Sequence, residues 1–289
     1  MFEGAYTAIV TPFTKSGAVD YQRFQSIIEM QIKAGIDGIV PVGTTGESPT
    51  LNMREHVEVV AKAIEFVNKR VKVIAGTGAN STEEAIELTR EAKAAGADAT
   101  LQVTPYYNKP SQEGLYRHFT TVADIGLPVM LYNVPSRTGS EIAVETIAKL
   151  SKHPNIVSIK EAGGSVDRVS AIKNACKISI LSGDDSMTLA MMSVGAKGVV
   201  SVASNIIPEQ ITKMTHAALE GRWEEAQSIH LRYFALFRDL FIESNPIPVK
   251  AAMSMLGWIE EVYRLPLCEI SPQNRQKLMA TLKKTGVLS

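Results

Sequence analysis

The sequence has almost no charge imbalance: its 289 residues hold thirty lysines and arginines against thirty aspartates and glutamates. Such a chain lacks the basic surplus that would hold nucleic acid or an anionic membrane surface, and the one-sided charge of a disordered tail. Long apolar runs are missing too. None approaches the ~18 residues that a membrane span needs, and Met1-Phe2-Glu3-Gly4 has no basic flank of the kind a signal peptide carries. Cysteine is scarce. Cys176 and Cys268 fall in no metal-ligand spacing, so they are expected as buried thiols in a reducing cytoplasm. The histidines (His56, His118, His153, His216 and His230) form no HExxH or other ligand pattern, which leaves metal catalysis without support. Gly76-Thr77-Gly78-Ala79-Asn80-Ser81 has only two of the three glycines of a dinucleotide fingerprint and follows a third strand rather than a first, so it reads as a turn.

What is present is an alternation. Short runs rich in Val and Ile recur at Tyr6–Val10, Gly38–Val42, Val71–Ala75, Ala99–Thr104, Pro128–Asn133, Ile156–Lys160, Ile178–Ser182 and Gly198–Val202, with helical periodicity between them, as in Glu83–Ala95. Near-continuous hydrophobic strands separated by helices indicate a parallel sheet covered on both faces. Eight such units predict a closed (β/α)8 TIM barrel, with an open doubly wound sheet as the alternative. The length fits one barrel of about 250 residues plus an appendage. Past residue 205 the pattern is helical: Pro208 starts one helix, Trp223–Glu243 forms a long one, Asn245-Pro246-Ile247-Pro248 breaks it, and helix continues to about Thr285. The expected division is therefore 1–224 for the catalytic barrel and 225–289 for a C-terminal helical extension packed on it.

In such a barrel, chemistry sits at the C-terminal ends of strands and in the loops after them. The second strand leads into Gly43-Thr44-Thr45-Gly46-Glu47-Ser48, whose backbone N–H groups can hold a carboxylate, or which is a plain capped turn. The fourth ends in Thr104-Pro105-Tyr106-Tyr107-Asn108, two phenols that suit either the rim of a site or a packing interface. The fifth ends in Met130-Leu131-Tyr132-Asn133, with Arg137 in the loop beyond. The sixth ends in Lys160. Alternation along a strand puts Ile156, Ser158 and Lys160 on one face and Val157, Ile159 and Glu161 on the other. Lys160 then points into a shielded place with no carboxylate on its face. Burial disfavours the ammonium, and a neutral amine is a nucleophile toward carbonyls. Taken alone, it also fits a snorkelling strand-end lysine. Asp184-Asp185 reads as an N-terminal helix cap.

With these residues in view, the chain resembles the dihydrodipicolinate synthase family, pyruvate-dependent class I aldolases related to N-acetylneuraminate lyase. The resemblance runs through AIVTPF (Ala8–Phe13), GTTGES (Gly43–Ser48), VIAGTGAN (Val73–Asn80), VTPYYNKP (Val103–Pro110), LYNVPSRTG (Leu131–Gly139), IKEA (Ile159–Ala162), SGDD (Ser182–Asp185) and NPIPVK (Asn245–Lys250). It implies that Lys160 forms a Schiff base with pyruvate and that Tyr132, Thr44 and Tyr107 form a proton relay. It also implies that Thr45, Gly183 and the backbone of Val200 bind pyruvate, and that Arg137 holds the carboxylate of L-aspartate 4-semialdehyde. No cofactor is implied beyond pyruvate itself, bound covalently as substrate, and no metal. The family is commonly a homotetramer of two tight dimers, with Tyr107 reaching into the neighbouring subunit's site.

The same resemblance implies an L-lysine effector. In lysine-inhibited members a cleft at the dimer interface binds the amino acid, and the matching positions here are Ser48, Pro49, Met53, His56, Asn80, Glu84 and Tyr106. Pro49 and Met53 depart from the alanine and histidine that sensitive members often carry, so partial sensitivity is expected. Two rival functions remain at this point. A neuraminate or keto-deoxy-sugar acid lyase would lack Arg137, and a non-catalytic carboxylate binder would have no use for a Tyr–Thr–Tyr relay.

Overall fold

Each Val- and Ile-rich run forms a strand, and the eight strands close on one another. The computed structural model describes residues 2–288. The strands are β1 (Gly4–Ala8), β2 (Gly38–Val40), β3 (Lys72–Gly76), β4 (Ala99–Val103), β5 (Val129–Asn133), β6 (Ile156–Glu161), β7 (Ser179–Ser182) and β8 (Gly198–Ser201). All neighbours are parallel and the order is β1 to β8, with β1 also pairing β8 through Ala5 and Val199. The sheet is a closed barrel, not the open alternative. The helices of its outer ring are α1 (Tyr21–Lys33), α2 (Met53–Val67), α3 (Thr82–Ala95), α4 (Gln112–Ala123), the single turn α5 (Pro135–Thr138), α6 (Val144–Leu150), α7 (Val166–Ala175), α8 (Thr188–Ser193) and α9 (Pro208–Leu219). The extension follows as α10 (Trp223–Asp239), α11 (Ile247–Met255) and α12 (Pro272–Lys284).

Two cores arise from the period-2 alternation. Tyr6, Val40, Ile74, Leu101, Met130, Leu181 and Val200 fill the barrel interior. Their neighbours Ile39, Val73, Leu131, Ile180 and Val199 face outward into a larger core shared with the helices. Closure needs Gly198: at φ 152°, a Cβ there would lie 1.9 Å from the carbonyl oxygen of Gly4, where β8 meets β1. The helices start where side chains can cap them. Asn52 and Glu55 form a reciprocal capping box on α2, and Ser81 caps α3.

The simple alternation fails once, on the strand that carries the candidate nucleophile. The β5–β6 register jumps from Val129↔Ile156 to Met130↔Ser158, so Val157 is an extra residue. Ile156 therefore packs in the outer core with Ile159, not on the face of Ser158 and Lys160. Period-2 reasoning holds from Ser158 onward.

The extension is less regular than its sequence pattern suggests. Helix α10 stops at Asp239, short of Glu243, and residues 256–271 form no helix. Gly257 takes φ 75° just after α11, and Pro266 interrupts the segment that follows. Cys268, expected buried, lies exposed on this irregular stretch, and Cys176 is only partly covered. The anticipated boundary at residue 224 falls inside the first turn of α10. That helix packs along α9, and Asn245, Lys250 and Arg264 all bond to the barrel's second βα loop or to α2. Among the described residues no helix is long and apolar enough to cross a membrane.

Candidate active site

A cavity of about 210 Å³ opens at the C-terminal mouth of the barrel, and Lys160 forms part of its wall together with Thr44, Thr45, Tyr132, Arg137 and Gly183. Residues from five different loops and strand ends thus converge, although they are scattered over some 140 positions of sequence. Lys160 is only 5% exposed. Its Nζ stands 4.4 Å from the centroid of the Tyr132 ring, its register partner on β5, and not against a carboxylate. Beneath it, Ser158 is fully buried with an unpartnered Oγ.

The end of β6 is fixed from outside. Glu161, facing the other way, accepts from Asn133 Nδ2 (2.9 Å), Gly163 N (2.7 Å) and Arg168 Nε (2.9 Å). Those three bonds lock the backbone, so Lys160 must face inward. Room for its stem comes from Gly183, where a Cβ would sit 3.0 Å from Lys160 Cε and 2.7 Å from the Ala162 methyl. Gly183 is held in turn by donating its N–H to Glu161 O (2.8 Å).

Thr45 is buried, and its Oγ1 accepts from Asn245 Nδ2 at 2.9 Å. Arg137 belongs to the single turn α5, not to an irregular loop, and is exposed at the rim. Its Nη2 donates to Asn245 O at 3.0 Å. Asn245 therefore ties two expected ligand contacts together from the extension. In the sequence it stands out only in the helix break and in the NPIPVK segment of the resemblance, with no role attached; a polar amide ahead of Pro246 and Pro248 was its signal. Phe241, also on this wall, left none.

Two expected residues are not on this wall. Val200 is fully buried inside the barrel, and Val202 lines the cavity in its place. Val202 lies past the end of β8, in the helical conformation that starts the next turn, and packs with the outer core. Tyr107 is 90% exposed with φ 72°, in the left-handed region that costs a tyrosine backbone strain. Within one chain it does not meet Tyr132 or Thr44.

A second cavity of about 240 Å³ adjoins the first through Thr44, Tyr132 and Arg137. It continues past Ser48, Pro49 and Tyr106 into a third, about 170 Å³, where Met53, His56 and Glu84 also gather. Six of the expected effector positions thus meet in one cleft. Asn80 stands at its edge, donating to Tyr106 O at 3.2 Å. His56 bonds through Nε2 to Gly76 O at 2.7 Å, and burial pushes its basicity below the usual histidine range, so the ring is neutral. Burial, reinforced by the Glu84 carboxylate, pushes the Tyr106 phenol up.

Asp184 caps a helical turn as expected, accepting from Ser186 N (2.8 Å). Asp185 does something else. It is buried, its Oδ2 accepts from Val202 N (3.0 Å) and Ala203 N (2.9 Å), and Oδ1 has no partner. Burial raises its pKa from 3.8 to about 6, against the lowering effect of bonds from Ser201, Ala203 and Val202. A carboxyl raised in the folded state stabilises fully below its unfolded pKa, and that contribution fades as pH climbs through about 6. Asp185→Asn keeps an acceptor for both amides and cannot ionise. Relative to wild type, the variant should gain up to about 3 kcal/mol in denaturant unfolding between about pH 4 and about pH 7. Parallel pH profiles for the two proteins would show that Asp185 stays neutral or is solvated.

Similarity to known proteins agrees with this geometry. The model of the dihydrodipicolinate synthetase family matches residues 1–285. The 4-hydroxy-tetrahydrodipicolinate synthase of Persephonella marina is 52% identical across the whole of both chains. The solved structure of the 4-hydroxy-tetrahydrodipicolinate synthase from the methanotroph Methylacidiphilum fumariolicum SolV superposes with a TM-score of 0.98 at 53% identity, over 99% of this chain and 96% of that one. The dihydrodipicolinate synthase of Cyanidioschyzon merolae, solved with lysine bound, gives 0.96 at 44% identity over 99% of each chain. A closed parallel barrel with a lysine buried at the end of its sixth strand, matched over its full length at this level of identity, has one placement: the chain belongs to the dihydrodipicolinate synthetase family.

Proposed function

We infer that the chain condenses pyruvate with L-aspartate 4-semialdehyde to give 4-hydroxy-tetrahydrodipicolinate, a class I aldolase-type step of lysine and diaminopimelate biosynthesis. The observation that carries this reading is Lys160, buried against the Tyr132 ring in a cavity that also holds Thr44, Thr45 and Arg137. Lys160 attacks the pyruvate carbonyl, and water leaves as the imine forms. The protonated imine draws electrons from the methyl group, which loses a proton and becomes an enamine. That carbon adds to the aldehyde. The amine of the adduct then displaces Lys160 and closes the six-membered ring. Every step moves a proton, and hydroxyls that both donate and accept suit the task, which is the part assigned to Tyr132, Thr44 and the Tyr107 of a second subunit. Thr45 and Gly183, with backbone near Val200, receive the pyruvate carboxylate. In this reading the chain needs no cofactor or metal, works in the cytoplasm and assembles as a dimer of tight dimers.

Arg137 argues against the sugar-acid lyases, because a polyol offers its guanidinium no carboxylate to bind in a fork. Synthesis of the cyclic product in an assay with pyruvate and the semialdehyde tests the reading. Cleavage of N-acetylneuraminate without that synthesis would overturn it. In Arg137→Ala the semialdehyde should lose about 2 kcal/mol or more of transition-state binding, roughly a thirtyfold fall in kcat/KM. Imine formation with pyruvate should survive. An unchanged kcat/KM for the semialdehyde would remove Arg137 from this role.

The cleft around His56 and Glu84 is proposed to take L-lysine as a feedback inhibitor. Glu84 suits the ligand's ammonium and Asn80 its carboxylate, while neutral His56 adds no repelling cation. Millimolar L-lysine is expected to inhibit partially, with Glu84→Ala relieving the effect. Full activity at that concentration, or inhibition left intact in Glu84→Ala, would sink the idea.

A further inference from the structure

The mechanism above leaves one pair of buried charges unused. Lys250, the fourth residue of the extension's α11, donates from Nζ to Glu47 Oε1, and both side chains are fully inaccessible. The ammonium also lies over two rings, 4.3 Å from the centroid of Phe13 and 5.3 Å from that of Tyr263. Desolvation lowers the Lys250 pKa, opposed by the attraction of Glu47. Burying two charges is expensive, and a well-packed apolar pair would hold two elements together as firmly. The pair is thus poorly explained as a source of stability alone.

Its position suggests another use. Glu47 closes the turn that presents Thr44 and Thr45, and it adopts φ 57°, a left-handed conformation that a glutamate occupies only when its surroundings impose it. Its N–H donates to Thr44 O at 3.1 Å, so the orientation of Glu47 sets that of the threonine turn. Thr50 Oγ1 donates to both its carbonyl (3.1 Å) and its Oε2 (3.2 Å). The other handhold on the turn is Asn245, bonded to Thr45 Oγ1 from just before the same α11. The start of α11 and Asn245 just ahead of it therefore grip the turn at two points.

We propose that Glu47 and Lys250 are positioning residues, through which the C-terminal extension holds the Thr44–Thr45 turn in its pyruvate-binding geometry. The proposal rests on the reading that Thr45 receives the pyruvate carboxylate. It makes the extension a working part of the site and not a passive cover.

The test uses the full chain and imine trapping by borohydride at increasing pyruvate. The double variant Glu47→Gln with Lys250→Met removes both charges at nearly constant volume. It should keep the wild-type circular dichroism spectrum, while half-saturating pyruvate rises about tenfold or more. The half-saturating semialdehyde, measured at saturating pyruvate, should move less than about twofold. Glu47→Gln alone, which lets buried Lys250 shed its proton, should shift pyruvate in the same direction by a smaller factor. A merely structural pair would lower the melting temperature and leave this split untouched. Folded variants with wild-type pyruvate affinity overturn the proposal, as does failure of both variants to fold, which would mark the pair as a fold determinant. If the wild-type chain itself is not trapped by pyruvate, the reading of the pocket fails first, a result distinct from either.

Discussion

Lys160→Ala is expected to fall in kcat by on the order of 10³-fold or more, because no other group in the cavity can supply the covalent route. Borohydride with pyruvate should add the mass of a reduced pyruvate imine to the wild-type peptide carrying Lys160, and add nothing to the variant. In the proposed function, the Tyr132 ring 4.4 Å from Nζ and the 5% exposure single this lysine out as the nucleophile. The other fully enclosed lysine, Lys250, is occupied by Glu47. EDTA should leave turnover unchanged. Trapped mass on a different peptide, or appreciable activity in Lys160→Ala, would overturn the assignment.

The barrel was legible because its signal is repeated. Eight apolar runs spaced by amphipathic helices admit few closures, and an error of one or two residues at a strand end alters nothing. That Lys160, Thr44, Thr45 and Tyr132 share one mouth was legible for the same reason, since a strand end is where such a fold keeps its chemistry; the roles proposed for them came from the resemblance. What escaped depended on local irregularity or on distance in sequence. The extra residue at Val157 breaks the alternation without any glycine or proline to announce it. Val202 stands at the wall where Val200 was expected because the chain leaves β8 after Ser201 and turns, a bend that strand periodicity does not contain. Asp185 looks like its neighbour Asp184, yet one caps a turn and the other holds two amides of β8's end from within the core. Asn245 reaches Thr45 across 200 positions, a contact that no spacing rule contains.

In the proposed function the deep wall and the rim divide the two substrates. Lys160, Thr44 and Thr45 sit deep, where strand ends and buried turns hold them rigidly, as imine formation needs. Arg137 stands exposed at the mouth and leans on Asn245 O. A group that must admit a second substrate after the first is bound gains from that exposure, so loss of Arg137 and loss of the deep residues should separate cleanly in kinetics.

Tyr107 is expected to work only in a partner's site, and its own substitution should be nearly as damaging as that of a residue in the cavity. At 90% exposure and a strained φ of 72°, the tyrosine is held out from its own barrel, beside half-exposed Tyr106 and away from Tyr132. A backbone cost of that kind persists only where something over-determines it, and a phenol offered to a second copy supplies a reason. Tyr107→Phe removes one hydroxyl from the relay and should cost about 10²-fold in turnover. Mixed with Lys160→Ala under conditions where subunits exchange, it should recover activity. A hybrid dimer has one site with a sound lysine and a sound visiting tyrosine, so random pairing of equal amounts should return about a quarter of the wild-type rate. The measurement is turnover against mixing ratio, with mass spectrometry of the intact dimers to count hybrids. Hybrids that form and stay inactive would place Tyr107 in service of its own chain, and would then require the loop at Tyr106–Asn108 to fold back over the cavity before the relay could operate.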